Sequence, residues 1–223
     1  MQHISNNIKG DSKVLIKDCS KDDIITLNEI VEIHIKTFKG FFLTFLGKGF
    51  LKYLYKGFCA HKTSGLIAAE LNGRTVGFLA YSENLSGFYK YLISHSLIPF
   101  AWYGLCAFLK RPSSFMRLVR AFLKPGESKR DENYLELSSI GVLPDMKNMD
   151  IGSSLINALK ERFDHDRFSY IKLETDANDN EKVNRFYVKN GFECICTYET
   201  PEGRKMNEYR WSDINENSLL RVD

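Results

Sequence analysis

The chain has 223 residues, 43% of them hydrophobic and 26% charged, with a formal net charge of +3. That length and balance fit a globular domain with a sizeable hydrophobic core. A charge this small gives no ground for expecting nucleic acid.

Residues 1–12 are polar, and residues 13–17 alternate into a short strand. Ser20 then opens a helix, with Ser20 and Asp23 at capping-box-like spacing. Ile24, Leu27, Val31, Ile35 and Phe38 follow helical periodicity and mark its buried face, with His34 packed among them. A break at Gly40 precedes a second helix over about 44–59. Residues 66–71 and 74–81 read as strands joined by Asn72-Gly73, a pair that supplies the positive φ angles of a tight hairpin turn.

The composition shifts after Glu83. Residues 84–126 hold Lys90, Lys110, Arg111, Arg117, Arg120 and Lys124 and no acidic residue, and 91–109 carry no Lys, Arg, Asp or Glu. This reads as a basic, apolar helical insertion at about 84–130, broken near Pro99 and Pro112. It is open to three readings. It is a buried lid or homodimer contact, a peripheral membrane patch through Trp102, Tyr103 and Phe108, or, against its polar and proline interruptions, a membrane span.

β and α elements then alternate: a strand at Tyr134–Val142, a helix at 151–163, a strand at 170–175 and a helix at Glu181–Lys189. Gly191 ends that last helix, and strands at 192–198 and 206–211 follow. The order predicts an α/β sandwich around a mixed sheet. Cys194 and Cys196 read as two same-face packing residues of one strand. With Cys19, Cys59 and Cys106 they make five scattered thiols, which suggests neither a disulfide framework nor a metal site. No basic stretch followed by an apolar run opens the sequence, so the expected compartment is the cytoplasm.

The most informative segment runs from Ile140 through Lys147, Asn148, Met149, Asp150, Ile151, Gly152, Ser153 and Ser154 to Leu155. A strand passes through a polar turn into a helix, aiming unpaired N–H groups and the helix dipole at one point, as phosphate binding requires. Small residues at Gly152, Ser153 and Ser154 would let a diphosphate approach. An ordinary turn with a capping Asp gives the same pattern. One βα unit later comes Asn180-x-x-Val183-x-x-Phe186-Tyr187-x-x-Asn190-Gly191-Phe192.

Together these two segments resemble the GNAT superfamily of acyl-CoA-dependent N-acetyltransferases. The family's loop R/Q-x-x-G-x-G/A corresponds to residues 147–152, and its later signature matches Asn180, Phe186, Tyr187, Gly191 and Phe192. The early helices and the Asn-Gly hairpin agree, so the resemblance covers most of the chain outside the insertion. It implies a single GNAT-like domain over 1–223, with a mixed, mostly antiparallel twisted sheet flanked by helices. It implies acetyl-CoA as acyl donor and no metal. The pantetheine arm would pair with Ile140 and Val142 where the fourth and fifth strands splay. The pyrophosphate would meet Lys147, Asn148, Met149, Asp150, Ile151, Gly152 and Ser153, with Asn180 and Tyr187 completing the donor site.

Lys147 and Asp150 depart from the family pattern. Asp150 stands where the first glycine is expected and brings a side chain towards a charged ligand. Its carboxylate either turns outward or caps the helix, and binding then survives at reduced affinity, or it disturbs the site.

Acyl transfer to an amine requires deprotonation of the ammonium, stabilisation of the thioester oxygen and protonation of the leaving thiolate. The resemblance points to Tyr187 for the last task, against a merely packed tyrosine. Glu136 is the candidate base, against a solvated strand glutamate. Simple alternation sets Glu136, Ser138, Ile140 and Val142 on one face. Ser138 and Ser139 could hold a water or the acceptor, and Glu174 and Asp176 are weaker alternatives to Glu136.

Residues 33–47, continuing through Tyr55, look like a group of GNAT proteins met near bacterial surface-polysaccharide genes. That implies a small-molecule amine acceptor, in particular an amino sugar, which could be nucleotide-linked. The alternative is a degenerate GNAT module that binds acyl-CoA or a partner without catalysis.

Overall fold

The computed structural model of the protein describes residues 14–95, 133–146, 149–201 and 203–213, without the Phe42 side chain. The elements begin with β1 (Leu15–Asp18), α1 (Ile24–Thr37), α2 (Phe42–Phe45), α3 (Lys48–Ala60), β2 (Ser64–Leu71) and β3 (Arg74–Ser82). There follow α4 (Leu85–His95), β4 (Tyr134–Val142), a 3-10 turn at Pro144–Met146, α5 (Ile151–Lys160) and β5 (Tyr170–Asp176). The last elements are α6 (Glu181–Lys189), β6 (Glu193–Glu199) and β7 (Lys205–Trp211).

The strands form one sheet in the order β1-β2-β3-β4-β5-β7-β6. Every pairing is antiparallel except β4 with β5. Asn72 and Gly73 take φ of 51° and 76°, and the hairpin closes as the dipeptide predicts.

Three local readings are corrected. The carboxylate of Asp23, not the Ser20 hydroxyl, caps α1 by accepting from the Thr26 N–H at 3.0 Å, so α1 starts at Ile24. Ile24 is exposed, and the buried stripe is carried by Leu27, Ile30, Val31, Ile33 and His34. The helix expected over 44–59 is divided because Gly47, at φ 88°, sits between α2 and α3.

The core packs on both faces of the sheet, and glycine positions show which helix takes which face. A Cβ on Gly141 would strike Phe78 and Phe38, so β4 there faces α1. A Cβ on Gly77 would meet Ile151 and Leu155, so the opposite face is covered by α5. α6 joins α5 on that side, with Tyr187 against Tyr209 of β7 at 5.8 Å between ring centroids. The mixed, mostly antiparallel sheet flanked by helices is the architecture expected.

Of the insertion, α4 is a helix that buries Phe88 and Leu92 against the core. Residues 96–132, including Pro99, Trp102, Tyr103, Phe108, Lys110, Arg111, Arg117 and Arg120, lie outside the described residues. Among the described residues no helix is long and apolar enough to cross a membrane.

Cys194 and Cys196 do not share a face. A bulge between them pairs Cys194 with Tyr209 and Cys196 with the adjacent Glu208, and both thiols are exposed.

Candidate active site

β4 and β5 pair only from Tyr134↔Tyr170 to Glu136↔Lys172. Beyond that point β4 runs on to Val142 and β5 to Asp176 with no ladder between them. The gap opens a cleft of about 1870 Å³. This exceeds the 300–1,000 Å³ typical of a single small-molecule site, so it has room for two substrates. Strand backbone left without a neighbour presents amide and carbonyl groups that an extended ligand arm can pair with.

The divergence begins at a bulge. Ala80 pairs with Ser139 and the next residue, Tyr81, pairs with Leu137, so Ser138 is the extra residue on β4. This corrects the simple alternation. Glu136, opposite Ser82, shares a face with Ser139 and Gly141, whereas Ile140 and Val142 share the other face with Leu137. Glu136 therefore faces the side of α1, α3 and α4, and the side chains of Ile140 and Val142 face α5. α1 also reaches the end of the open strand, where the Thr37 hydroxyl donates to the Val142 carbonyl at 3.2 Å. Nothing in the sequence pattern had singled out Thr37.

At the mouth of the cleft, Asp150 precedes α5 in the left-handed region, with φ 51° and ψ 16°. This explains the departure at that position. The backbone there takes a conformation that glycine adopts freely and aspartate tolerates. The Asp150 side chain makes no cap hydrogen bond to the helix. Its carboxylate turns outward, 3.5 Å from the Lys189 ammonium of α6. The reading of Asp150 as a helix cap is thus corrected, and the outward alternative is the one observed. Ile151 is buried and Met149 exposed. Gly152 also serves packing, since a Cβ there would lie 3.0 Å from Phe186. Ser153 lines the cleft. Lys147 and Asn148 lie outside the described residues.

On α6, Tyr187 is buried and lines the cleft between α5 and β7. Burial, with Tyr209 adding in the same direction, pushes its phenol above the usual tyrosine value, so it is protonated at neutral pH. Asn180 stands at the start of α6 but does not cap it. Its amide donates to the Thr175 hydroxyl at 2.8 Å and the Asp176 carbonyl at 3.0 Å, fastening the end of β5 to the helix.

Glu136 does not meet the cleft as an isolated carboxylate. Its register partner on β5 is Lys172, whose ammonium is buried and lies 2.6 Å from Glu174. Burial pulls the Lys172 pKa down, but attraction to Glu136 and then Glu174 outweighs it, and the net shift is upward. The Tyr198 hydroxyl of β6 donates to the other Glu174 oxygen at 2.6 Å. A polar row of Glu136, Lys172, Glu174 and Tyr198 therefore crosses three strands on the sheet face opposite α5. The alternation of β5 places Lys172 there, but only the parallel register reveals its partner.

Asp176, the other alternative carboxylate, is engaged by Arg204 at 2.6 Å. Among the described residues no cluster of His, Cys, Asp or Glu could hold a metal.

The α5–α6 side of the cleft has three features suited to acetyl-CoA: an unpaired strand edge, the N-terminus of α5, and the cationic residues Lys182 and Lys189 of α6 on the cleft wall. The exposed carboxylate of Asp150 opposes an anion there, and the Lys189 ammonium 3.5 Å away partly offsets it.

Comparison with known proteins agrees with this geometry. The family model of the Acetyltransferase (GNAT) family matches residues 27–192. A GNAT-family acetyltransferase from Bacillus cereus has a similar structure, with a TM-score of 0.54 and 17% identity, covering 91% of this chain and 99% of that one. The ribosomal-protein-S18-alanine N-acetyltransferase of Escherichia coli gives 0.53 and 12%, over 91% and 98%. Arabidopsis thaliana NAA60 in complex with acetyl-CoA gives 0.54 and 13%, over 89% and 98%. At these identities the likeness is one of fold. No curated protein matches the sequence. With a family model spanning most of its length and a sheet that opens between β4 and β5, the chain belongs to the GNAT family of acetyltransferases.

Proposed function

We propose that the protein transfers an acetyl group from acetyl-CoA to the primary amine of a small molecule in the cytoplasm. The observation that carries this reading is the opening of β4 from β5 between the N-terminus of α5 and buried Tyr187. The donor lies on the α5–α6 side, along Ile140 and Val142 and over residues 147–153. The acceptor enters from the side of α1, α3 and α4, where Glu136 stands.

Tyr187 serves as the acid. Its phenol is held protonated, and it donates a hydrogen bond to sulfur as the thiolate leaves. Because burial makes it a weaker acid than free tyrosine, it gives up that proton only as negative charge builds on sulfur. It regains one as the attacking nitrogen sheds its remaining extra proton and the amide forms. Glu136 takes the ammonium proton through a water, and the buried ammonium of Lys172 on the neighbouring strand attracts that carboxylate. Among amines, an amino sugar of surface-polysaccharide synthesis is the acceptor favoured by the resemblance of residues 33–47.

Calorimetry with acetyl-CoA, followed by CoA release over a panel of glucosamine, nucleotide-linked amino sugars, spermidine and an alanine peptide, tests this. Binding together with amine-dependent CoA release is the expected result. Binding without release from any amine would favour a non-catalytic module, and absence of binding would end the reading.

A further inference from the structure

The stripe of α6 that meets the sheet carries Asn180, Asn184 and Tyr187, at helical spacing. An asparagine suits a packed helix face only if both ends of its amide find partners. Asn184 finds three. Its amide N–H donates to the Asp176 carbonyl at the end of β5, at 3.2 Å. Its oxygen accepts from the Tyr209 hydroxyl at 3.1 Å and from the Asn207 amide at 3.3 Å, both on β7. A backbone carbonyl only accepts, so Asp176 fixes which end of the Asn184 amide faces β5 and which faces β7. The same carbonyl also accepts from Asn180, so two successive turns of the helix hold the end of β5.

Tyr209 links this network to the reaction. It is buried, with its hydroxyl on Asn184 and its ring 5.8 Å from that of Tyr187. Tyr187 itself follows Asn184 by three residues and so lies on the same side of α6.

We propose that Asn184 is a positioning residue for acetyl transfer. By tying α6 to β5 and β7 it fixes the roll of the helix, and with it the direction in which the Tyr187 phenol enters the cleft. Ring packing is not directional and tolerates a small roll or slide of α6, whereas hydrogen bonds to two strands do not. The restraint matters because misplacing a reacting group by about 1 Å can cost about a hundredfold in rate. This role rests on the proposed function, in which Tyr187 is the acid.

The test uses the full chain, acetyl-CoA and the panel amine that supports CoA release. Asn184→Leu keeps the bulk on the stripe and removes the amide, and Tyr209→Phe removes only the hydroxyl bonded to it. In single turnover, Asn184→Leu should slow acetyl transfer by about five- to fiftyfold and Tyr209→Phe by about two- to tenfold, while the Kd of acetyl-CoA stays within about twofold. In a Tyr187→Phe background, Asn184→Leu should change the remaining rate by less than about twofold, since the group it places is gone. An asparagine with a merely structural role would slow both backgrounds alike. Carbon-13 NMR of the tyrosine Cζ atoms reads the placement without catalysis. The Tyr187 signal, identified by its loss in Tyr187→Phe, should shift or broaden in both variants. The signal of Tyr55, which packs against Phe78 on the opposite face of the sheet, should not move.

Equal slowing in the two backgrounds, an unmoved Tyr187 signal, or a Kd that weakens in step with the rate overturns the positioning role. If wild type releases no CoA with any amine, the proposed function fails on that ground alone, while the Tyr187 signal still decides whether Asn184 places the phenol. Should Asn184→Leu not fold, Tyr209→Phe carries the test.

Discussion

Replacing Asp150 with Gly removes two things at once. The first is backbone strain, since Asp150 sits at φ 51°. A left-handed conformation costs an ordinary L-residue about 1–2 kcal/mol, less for aspartate, and glycine almost nothing. Glycine returns part of that gain as extra entropy of the unfolded chain, about 0.4–1 kcal/mol. Overall stability should therefore change by less than about 1 kcal/mol.

The second is charge. Asp150 is exposed and lies at the N-terminus of α5, where a diphosphate would bind. In a water-like dielectric, two unit charges about 6–8 Å apart repel by roughly 0.5–0.7 kcal/mol, and a diphosphate presents two of them. Screening reduces the sum, while release of Lys189 from its 3.5 Å pairing adds to it. The net is about 1 kcal/mol, or a three- to tenfold tighter Kd for acetyl-CoA. Calorimetry at low and high salt checks this, and the gain should shrink as salt rises. Asp150→Asn, which keeps tolerance of the left-handed region but drops the charge, should capture most of it. A weaker or unchanged affinity in the Gly variant at low salt would refute the electrostatic reasoning. It would then assign Asp150 to organising the loop.

Tyr187→Phe should lower kcat by about one to three orders of magnitude with little change in acetyl-CoA affinity, as single-turnover kinetics and calorimetry would show. Glu136→Gln should depress the rate most at low pH, where the amine is hardest to deprotonate, and wild-type rates for both variants from about pH 6 to 9 would sink the acid and base assignment. Lys172→Met removes the buried ammonium paired with Glu174 and should cost about 1–3 kcal/mol in urea denaturation at neutral pH. Because the folded pKa of Lys172 is raised, that contribution is complete below the unfolded value near 10.5, and the gap between variant and wild type should close as the pH climbs through the folded value. His34 has the opposite sign of dependence. Its folded pKa of about 4 lies below the ordinary 6.5, so wild type should lose about 3 kcal/mol as the pH falls from 6.5 to 4, and His34→Asn should flatten that slope in acid denaturation.

Much of the fold was legible in the sequence because its signals are local. Asn72-Gly73 closes a hairpin whose positive φ angles few other pairs accept, and Tyr134–Val142 and Glu181–Lys189 fall where alternation and helical periodicity place them. The family's later signature, from Asn180 to Phe192, identified the chain's kin for a similar reason, since it lies within one helix and its cap. Boundaries and faces were less secure. The Asp23 cap displaced the start of α1, and Gly47 broke a helix that periodicity had run through.

What only the tertiary structure decided is set by the relation between neighbouring strands. Period-two alternation assumes an unbroken ladder, yet one extra residue at Ser138 moves Glu136 to the face opposite Ile140 and Val142. The same device at Ile195 separates Cys194 from Cys196. A bulge is a property of two strands together, so neither strand's sequence announces it. The partners of Glu136 and Tyr55 are likewise distant in the chain: Lys172 meets Glu136 through the single parallel pairing, and His34 meets Tyr55 across two helices. The sequence by itself determined which elements form and to which family they belong, because propensity and periodicity act over a few residues. The site's faces and charges were decided by packing and register, which act between residues that only the folded chain brings together.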